Sequence, residues 1–300
     1  MSASIFVIVN PIAGRGRSLR RLAAFQDCIA GNEIAGIVHT RKRGDEERLA
    51  RVALEDGATV IVAVGGDGTC SGIANAILRA RSRCQLAVLA SGTGNDFAKT
   101  IGVDNQTPQE VAALILRGTG TEIDVGVVDG HYFVNSCGFG FDASVLEATQ
   151  RVRFLKGDAV YIYSALRQLL TYRGVPVRVD SEPGTDARKM LMLTVSNGAF
   201  LGGAFRIAPY ASTVDGELDV CLIGDTGVIG RVRIFAGALR GTHVGLPSVT
   251  STRAKSVKLA FSESPMMEVD GELRQALSPT VEIECLPHAL NVIGAPGYPR

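Results

Sequence analysis

The segment Val60–Asn75, VIVAVGGDGTCSGIAN, decides the fold class of this 300-residue chain. It begins with a run of β-branched and small apolar residues, passes through three glycines around Asp67, and continues with apolar residues at helical spacing from Ile73 to Leu78. A buried strand that leads through a glycine-rich turn into a helix is the repeating unit of a parallel sheet covered by helices. We therefore expect an α/β domain around this segment.

Strand-type and helix-type patterns alternate through the first third of the chain. Strands are expected at Ile5–Val9, Ile34–His39, Thr59–Val64 and Leu86–Leu89, and helices at Leu19–Ala30, Asp45–Glu55 and Ser71–Ala80. This rhythm is typical of a parallel sheet with helices on both faces.

After about Thr121, strand-type runs mostly follow one another, which predicts an antiparallel sandwich. These strands are expected at Glu122–Val128, His131–Cys137, Val175–Asp180, Lys189–Ser196, Leu218–Ile223, Ser256–Phe261 and Val281–Cys285, with helices at Asp158–Thr171 and Val228–Leu239. We therefore place an α/β domain at residues 1–123 and a β-rich second domain at 124–287. The last strand, at about 288–300, can return to the first domain.

The composition excludes several classes of protein. Apolar residues make up 46% of the chain and charged residues 20%, so the chain can bury a core and is neither disordered nor fibrous. Lys and Arg number 31 against 30 Asp and Glu, and this net charge of +1 gives no overall field to collect nucleic acid. The six cysteines include no C-x-x-C pair and the apolar runs are of strand length, so we expect a reduced, cytoplasmic protein that does not span a membrane.

The turn Gly65-Gly66-Asp67-Gly68-Thr69 has the residues of a phosphate-binding loop. Glycines let backbone amides approach a phosphate closely, and a helix N-terminus adds the positive end of its dipole. A carboxylate at Asp67 fits such a loop if Mg²⁺ lies between it and the phosphates of a nucleoside triphosphate. The alternative is a glycine-rich turn in which Asp67 caps a helix.

Two familiar nucleotide motifs do not explain this turn. The sequence contains no G-x-x-x-x-G-K-[ST], so it has no P-loop. The nearest approach to a dinucleotide fingerprint, Gly138–Ala143, lies in the β-rich part of the chain and outside a strand–helix–strand unit.

Polar side chains also follow the neighbouring strands. Ser91–Ala98, SGTGNDFA, comes after the strand at Leu86–Leu89, while Asn10 and Thr40 follow the first two strands. Ligands of open α/β sheets bind at the carboxyl ends of the strands. Asp67 and Asp96 are therefore expected to lie close enough to share one metal ion.

Two acids surround a glycine late in the chain, at Asp270-Gly271-Glu272. A turn centred on Gly271 can direct both carboxylates to one point, with one acting as a base and one as a metal ligand. Asp-Gly is also the commonest hairpin turn, so spacing alone favours a plain hairpin over a catalytic pair. Asp215-Gly216 carries the same ambiguity.

Taken in order, these motifs resemble the catalytic domain of the diacylglycerol-kinase-like lipid kinases, in particular the bacterial soluble members, with sphingosine kinases and NAD kinases more distant. The matching segments are Val9-Asn10-Pro11 with Gly14, Gly65–Thr69, Gly92–Ala98, Gly138–Ala143, Asn197 with Gly202-Gly203, Pro209 with Asp215-Gly216 and Leu218-Asp219, and Asp270–Glu272. The resemblance covers nearly the whole chain. GGDGT is shared with NAD kinases, whereas the NDFA run and the late DGE favour lipid kinases.

The resemblance implies which residues form each part of the site. The residues expected to contact ATP are Asn10, Thr40, Gly65, Gly66, Asp67, Gly68, Thr69, Cys70, Ser71, Thr93 and Asn95. Asp67, Asp96 and Glu272 match acids associated with the catalytic Mg²⁺, and Asp270 matches the proposed general base. A second, structural Mg²⁺ is implied at Asp215, with the main-chain carbonyls of Ser212 and Glu217.

The function implied is an ATP- and Mg²⁺-dependent kinase that phosphorylates a lipid hydroxyl, with nucleotide bound by the first domain and lipid by the second. A NAD kinase and a non-catalytic nucleotide-sensing regulator are the alternatives. Peripheral membrane contact would use local basic clusters at 15–21, 41–43 and 151–156. A homodimer is left open, and no nucleic-acid partner is expected.

Overall fold

The computed structural model describes residues 4–29, 34–151, 158–181 and 184–298. The described residues form two compact units. The first unit takes its residues from 1–125, 212–216 and 286–300, and the second from 126–211 and 217–285. The segments 212–216 and 286–300 therefore belong to the first unit, although the chain passes through the second unit before each of them.

A parallel sheet forms the centre of the first unit. Its strands are β1 (Ile5–Val9), β2 (Ile34–His39), β3 (Val60–Gly65) and β4 (Gln85–Ala90), and its helices are α1 (Arg17–Gln26), α2 (Asp45–Glu55), α3 (Asp67–Arg79), α4 (Asp96–Thr100) and α5 (Pro108–Arg117). The strand order is β4-β3-β1-β2. Every residue of β3 is buried, as expected for a parallel strand covered by helices on both faces.

The second unit is built from antiparallel strands and three helices. The strands are β5 (Thr121–Val128), which begins in the first unit, β6 (His131–Phe133), β7 (Ser136–Gly140), β8 (Val175–Ser181), β9 (Gly184–Ser196), β10 (Leu218–Gly224), β11 (Val249–Ala254), β12 (Ser256–Ala260), β13 (Met266–Val269), β14 (Glu272–Gln275) and β15 (Thr280–Ile293). The helices are α6 (Phe141–Arg151), α7 (Asp158–Thr171) and α8 (Val228–Ala238). The expected α/β domain with a parallel sheet and the expected antiparallel sandwich are both confirmed.

Strand β9 connects two sets of strands in the second unit. Its first half, Gly184–Met190, pairs with β8, which continues through β12 to the start of β15. Its second half, Met192–Ser196, lies between β7 and β10. Beyond these, β7 pairs with β13 and β10 pairs with β11. One continuous strand therefore belongs to both parts of the sandwich.

The apolar side chains of the second unit form two clusters. One includes Phe133, Phe139 and Leu259 from the strands. The other includes Phe141 of α6 and Ile234 of α8, so it lies where these helices pack on the strands.

The end of β15 returns to the first sheet. Val292 and Ile293 pair in parallel with Leu86 and Ala87 of β4. The six cysteines, all within the described residues, form no disulfide. In the described part of the chain, no helix has the length and apolar character needed to cross a bilayer.

Candidate active site

The glycine-rich turn lies where β3 meets α3. Strand β3 ends at Gly65, and α3 begins at Asp67, four residues earlier than the helical pattern predicted. Gly66 precedes the first helical residue, and its carbonyl accepts hydrogen bonds from the N–H groups of Thr69 (3.0 Å) and Cys70 (3.1 Å). The GGDGT motif is therefore the first turn of a helix, where the positive end of the helix dipole is exposed.

The three glycines of the turn differ in what surrounds them. A Cβ atom at Gly65 would lie 2.3 Å from Oγ1 of Thr69, so packing requires glycine there, and one at Gly66 would lie 3.0 Å from Cα of Gly92, which is a tight contact. At Gly68, a Cβ would meet no atom of the described residues within 4 Å, and the backbone φ does not require glycine. Open space therefore lies beside the helix N-terminus at Gly68.

Hydrogen bonds tie this turn to the loop that follows β4. The carbonyl of Gly65 accepts from the N–H groups of Ser91 (2.7 Å) and Gly92 (3.1 Å). Oδ1 of Asp67 accepts from the N–H of Phe97 at 3.0 Å, so Asp67 caps the start of α4. Asp67 therefore caps the neighbouring helix, whereas the start of its own helix, α3, has no side-chain cap hydrogen bond.

Asp96 and Asn95 begin α4 beside this contact. Asp96 is only 6% exposed, and its Oδ1 lies 3.1 Å from Nζ of Lys99. Asn95 has a left-handed backbone (φ 54°) and donates from Nδ2 to the carbonyl of Gly92 at 3.0 Å. Its Oδ1 is buried and accepts no hydrogen bond within the described residues.

These oxygen atoms suit a hard cation. Carboxylate and amide oxygens are the ligands that Mg²⁺ prefers, and the buried Oδ1 of Asn95 is an acceptor with unused capacity. No group of three or more His, Cys, Asp or Glu side chains arranged for a metal is found in the described part of the chain. The donor set at Asp67 and Asp96 therefore fits Mg²⁺ together with phosphate oxygens or water, rather than an all-protein cage.

The remaining expected nucleotide contacts also lie in the first unit. The N–H of Asn10 donates to the carbonyl of Val64 (2.9 Å), and the N–H of Thr40 donates to that of Val9 (2.9 Å). Both residues therefore sit at the carboxyl edge of the sheet, as Gly65 does. Thr93 is exposed, whereas Cys70 is buried.

Two arginines of the basic cluster at 15–21 form hydrogen bonds within the first unit. Nη2 of Arg17 donates to the carbonyl of Gly92 at 2.5 Å, and Nη2 of Arg21 donates to that of Gln106 at 2.6 Å. Burial, together with the nearby charge of Arg17, lowers the pKa of Arg21. Sequence reasoning did not find that Arg17 holds the loop after β4.

The acids Asp270 and Glu272 lie on a hairpin of the second unit. Strands β13 and β14 are joined by a two-residue turn in which Asp270 (φ 47°) and Gly271 (φ 85°) are both left-handed. The carboxylate of Asp270 is buried and accepts three backbone N–H bonds, from Val134 (2.9 Å), Asn135 (2.9 Å) and Ser136 (3.1 Å). The hairpin alternative for Asp-Gly is therefore realised, and the base role of Asp270 stays a prediction.

Glu272 is half-buried at the start of β14. Its Oε2 lies 3.0 Å from Nη2 of Arg274, and Nη1 of Arg274 lies 3.4 Å from Nε2 of His131. Because Asp67 and Asp96 belong to the first unit and Glu272 to the second, a metal ion shared by all three stays a prediction.

The loop at Asp215 is held by a residue that the sequence analysis missed. Asp124 is fully buried, and its carboxylate accepts from the N–H groups of Gly216 (2.7 Å) and His288 (2.9 Å). Its own N–H donates to the carbonyl of Thr213 (2.7 Å). The available signal was an acid, Asp124, between apolar residues of the strand run Ile123–Val128.

The expected structural metal ligands are divided between the units. Asp215 is exposed, Ser212 and Asp215 belong to the first unit, and Glu217 belongs to the second. The binding of a metal ion by these residues stays a prediction.

Comparison with known families decides the identity of the fold. Residues 4–128 match the diacylglycerol kinase catalytic domain, and residues 135–294 match the YegS C-terminal NAD kinase beta sandwich-like domain. The chain belongs to the diacylglycerol kinase and YegS-like family of lipid kinases. The resemblance seen in the motifs is confirmed.

Relatives of this lipid kinase match it over most of their length. It is 28% identical over 89% of the chain to "Diacylglycerol kinase" of Bacillus subtilis, of which 88% is covered. It is 32% identical over 83% of the chain to "Probable lipid kinase YegS-like" of Pseudomonas aeruginosa, of which 83% is covered.

Solved structures share the fold. A crystal structure from Bacillus anthracis strain Sterne gives a TM-score of 0.79 at 25% identity, covering 98% of this chain and 95% of that one. A crystal structure of a diacylglycerol kinase from the same strain gives a TM-score of 0.72 at 24% identity, covering 98% and 97%.

The lipid kinase is therefore a phosphotransferase with an alcohol group as acceptor. Membership in a kinase family implies ATP as the phosphate donor and a lipid as the substrate. These findings favour the lipid kinase over the NAD kinase and the non-catalytic regulator.

Proposed function

We propose that the enzyme transfers the γ-phosphate of ATP to the hydroxyl of a diacylglycerol-like lipid in a Mg²⁺-dependent reaction. The observation that carries this proposal is the open space at Gly68, beside Asp67 and at the N-terminus of α3. Neither packing nor backbone geometry among the described residues requires glycine there. A phosphate that approaches the first-turn amides does require it.

The first unit supplies the groups that would hold the nucleotide. Backbone N–H groups in the first turn of α3, at Asp67 and Gly68, would donate to the phosphates, and Asn10, Thr40 and Thr93 would border them at the carboxyl edge of the sheet. Asp67 and Asp96 would hold Mg²⁺, with the buried Oδ1 of Asn95 as a further oxygen nearby. The bound ion would neutralise charge on the phosphates during transfer.

The second unit supplies the proposed base. Asp270 would take the proton of the lipid hydroxyl while the hydroxyl oxygen forms its bond to the γ-phosphorus and ADP leaves with the bridging oxygen. Three N–H donors fix the orientation of this carboxylate. Glu272 would contribute to the metal site from the same hairpin.

The diacylglycerol-like acceptor is supported by the names of the relatives, which are diacylglycerol kinases or a lipid kinase. Within this proposal, residues 1–123 bind nucleotide and residues 124–287 bind lipid. The loop at Asp215 would hold a second Mg²⁺ with the carbonyls of Ser212 and Glu217.

The experiment that tests the proposal is transfer of label from γ-labelled ATP. The purified chain is incubated with Mg²⁺ and, separately, with diacylglycerol in mixed micelles, a long-chain amino alcohol, and NAD. We expect label in diacylglycerol and its loss when Mg²⁺ is chelated. Label in NAD alone, or undiminished transfer to diacylglycerol without a divalent ion, would contradict the proposal.

A further inference from the structure

Helix α8 exposes large apolar side chains to solvent. Ile229 is 87% exposed, Val232 50%, Leu239 52% and Val228 40%. A surface helix normally presents polar residues on its outer side and apolar residues only on the side facing the core. The inward side of α8 is already occupied by Ile234, which packs in the core, so folding does not account for the outer apolar residues.

The exposed side of α7 has the same character. Tyr163 is 40% exposed, Leu166 58% and Leu170 64%, and their spacing of three and four residues places them on one side of the helix. Between and after them lie Arg167 and Arg173, both exposed.

The two helices are fastened to each other. The guanidinium of Arg231 in α8 is 6% exposed and donates to the carbonyls of Leu169 (2.9 Å) and Tyr172 (2.8 Å) at the end of α7. It also lies 3.0 Å from Oδ1 of Asp225. The exposed apolar residues of α7 and α8 are therefore held in a fixed arrangement within the second unit.

The charges beside these residues are mostly positive, and the nearby acid Asp225 is already paired with Arg231. The exposed charged residues of 163–173 and 226–241 are Arg167, Arg173, Arg233 and Arg240, and neither segment contains Asp or Glu. In a chain whose net charge is only +1, four exposed arginines beside a single acid that Arg231 already pairs are a local concentration of positive charge. We call the exposed residues Tyr163, Leu166, Leu170, Val228, Ile229, Val232 and Leu239, with these four arginines, the α7–α8 face.

Exposed apolar side chains together with exposed arginines limit which kind of partner could bind the α7–α8 face. A second copy of the chain related by two-fold symmetry would bring the arginines of one α7–α8 face towards those of the other. An anionic bilayer satisfies both properties, because it accepts apolar side chains below the headgroups and attracts arginine to the phosphates. Arg side chains can also extend to the headgroups while their aliphatic stems remain among apolar groups.

We propose that the α7–α8 face docks on an anionic lipid membrane, with the apolar side chains inserted and the arginines at the headgroups. The proposal rests on the lipid kinase function and assigns its membrane contact to the second unit. The basic clusters at 15–21 and 41–43 are not needed for it. In the cluster at 151–156, residues 152–156 lie outside the described part of the chain. The side chain of Arg151 is not described either.

The test is sedimentation of the full chain with vesicles of phosphatidylcholine, with and without phosphatidylglycerol. We expect binding to the anionic vesicles that is weakened by salt. The double variant Ile229→Ser/Val232→Ser should bind about tenfold or more weakly, because two inserted side chains are lost. Arg233→Gln/Arg240→Gln should lose the preference for anionic vesicles.

The matched control is Leu277→Ser, which removes an apolar side chain that is 81% exposed but lies away from α7 and α8 in the sequence. It should bind as the wild type does. Equal binding by the Ile229→Ser/Val232→Ser variant and the wild type would overturn the proposal. So would a wild-type dimer in gel filtration that this variant dissociates, because the face would then be a contact between copies.

A second assay separates this proposal from the proposed function. With a short-chain, water-soluble diacylglycerol, the variants should retain the wild-type turnover, whereas phosphorylation of vesicle-borne lipid should fall in parallel with binding. A wild type that binds anionic vesicles but phosphorylates neither substrate would contradict the proposed function and leave the docking face standing. A parallel loss of turnover on the soluble substrate would overturn the docking assignment.

Discussion

Asp270 and Ser136 are joined by a reciprocal pair of hydrogen bonds. The N–H of Asp270 donates to the carbonyl of Ser136 at 3.0 Å, and the N–H of Ser136 donates to Oδ1 of Asp270 at 3.1 Å. The N–H groups of Val134 and Asn135 donate to the same carboxylate. The acid proposed as general base therefore also fixes its own hairpin against the start of β7.

Asp270→Asn should therefore lower both stability and turnover. The amide group offers one acceptor oxygen where the carboxylate offers two, so a buried N–H loses its partner, at a cost of about 1–3 kcal/mol. Loss of a positioned base should lower kcat by about 10²–10⁴-fold. Urea unfolding gives the first quantity, and turnover per folded molecule gives the second.

Asp129→Asn is the matched control, because Asp129-Gly130 forms the same kind of two-residue turn between β5 and β6 and its carboxylate accepts from the N–H of Leu277 (2.8 Å). It should leave kcat unchanged. If Asp270→Asn has normal turnover once the folded fraction is counted, Asp270 has a structural role alone.

Gly68→Val should abolish Mg-ATP binding without unfolding the protein. The new side chain would enter the space at the α3 N-terminus and meet no described residue within 4 Å at its Cβ. Gly245→Val is the control, since Gly245 also lies in open space with an ordinary φ. Calorimetric titration with Mg-ATP measures binding, and circular dichroism measures folding. Tight binding of Mg-ATP by the Gly68→Val variant would show that the GGDGT turn has a structural role only.

Chelation of divalent ions should lower the melting temperature of the wild type if the loop at Asp215 holds a metal ion. Asp215→Ala should melt at a lower temperature in Mg²⁺ and show a smaller shift on chelation, because a hard oxygen ligand is gone. Asp56→Ala, which also removes an exposed aspartate, should behave as the wild type. Identical shifts in melting temperature in all three proteins would show that the loop at Asp215 does not bind a metal ion.

Asp142 should make stability depend on pH. Burial raises the pKa of Asp142 to about 7, and its Oδ2 accepts no hydrogen bond among the described residues. The folded protein therefore keeps a proton that the unfolded chain releases near its ordinary pKa of 3.8. This contribution is complete below about pH 4 and is lost as pH rises to about 7.

Asp142→Asn should remove that dependence, so the variant gains stability relative to the wild type between pH 4 and pH 7 and keeps the gain above it. Burial lowers the pKa of His243, which gives an opposite slope in both proteins, so the difference between them isolates Asp142. Urea midpoints across this range are the measurement. A constant difference at every pH would show that Asp142 is ionised in the folded protein throughout.

The sequence predicted those parts of the structure that follow from local pattern. Strands β1 and β2 and helices α2 and α7 begin and end where the periodicity places them. Helix α5 was missed although Thr107, Pro108 and Glu110 form a capping box with proline at its first position, a signal present in the sequence.

Other features depend on long-range contacts that no local pattern contains. The Asp67 cap on α4 joins residues 30 positions apart, and the Asp124 bond to His288 joins residues 164 positions apart. The sequence placed Asp67 and Asp96 at one edge of a sheet because parallel strands share that edge. The sequence could not show which backbone N–H groups the side chains at this edge would bind.

Strand β9 has a consequence for how the second unit unfolds. Because Gly184–Met190 pairs with β8 and Met192–Ser196 lies between β7 and β10, both sets of strands depend on hydrogen bonds to the same strand. The amide protons of Met192–Val195 should therefore be among the slowest in the unit to exchange with deuterium, opening only through global unfolding. The sandwich would then lose its structure in a single cooperative step rather than one layer at a time.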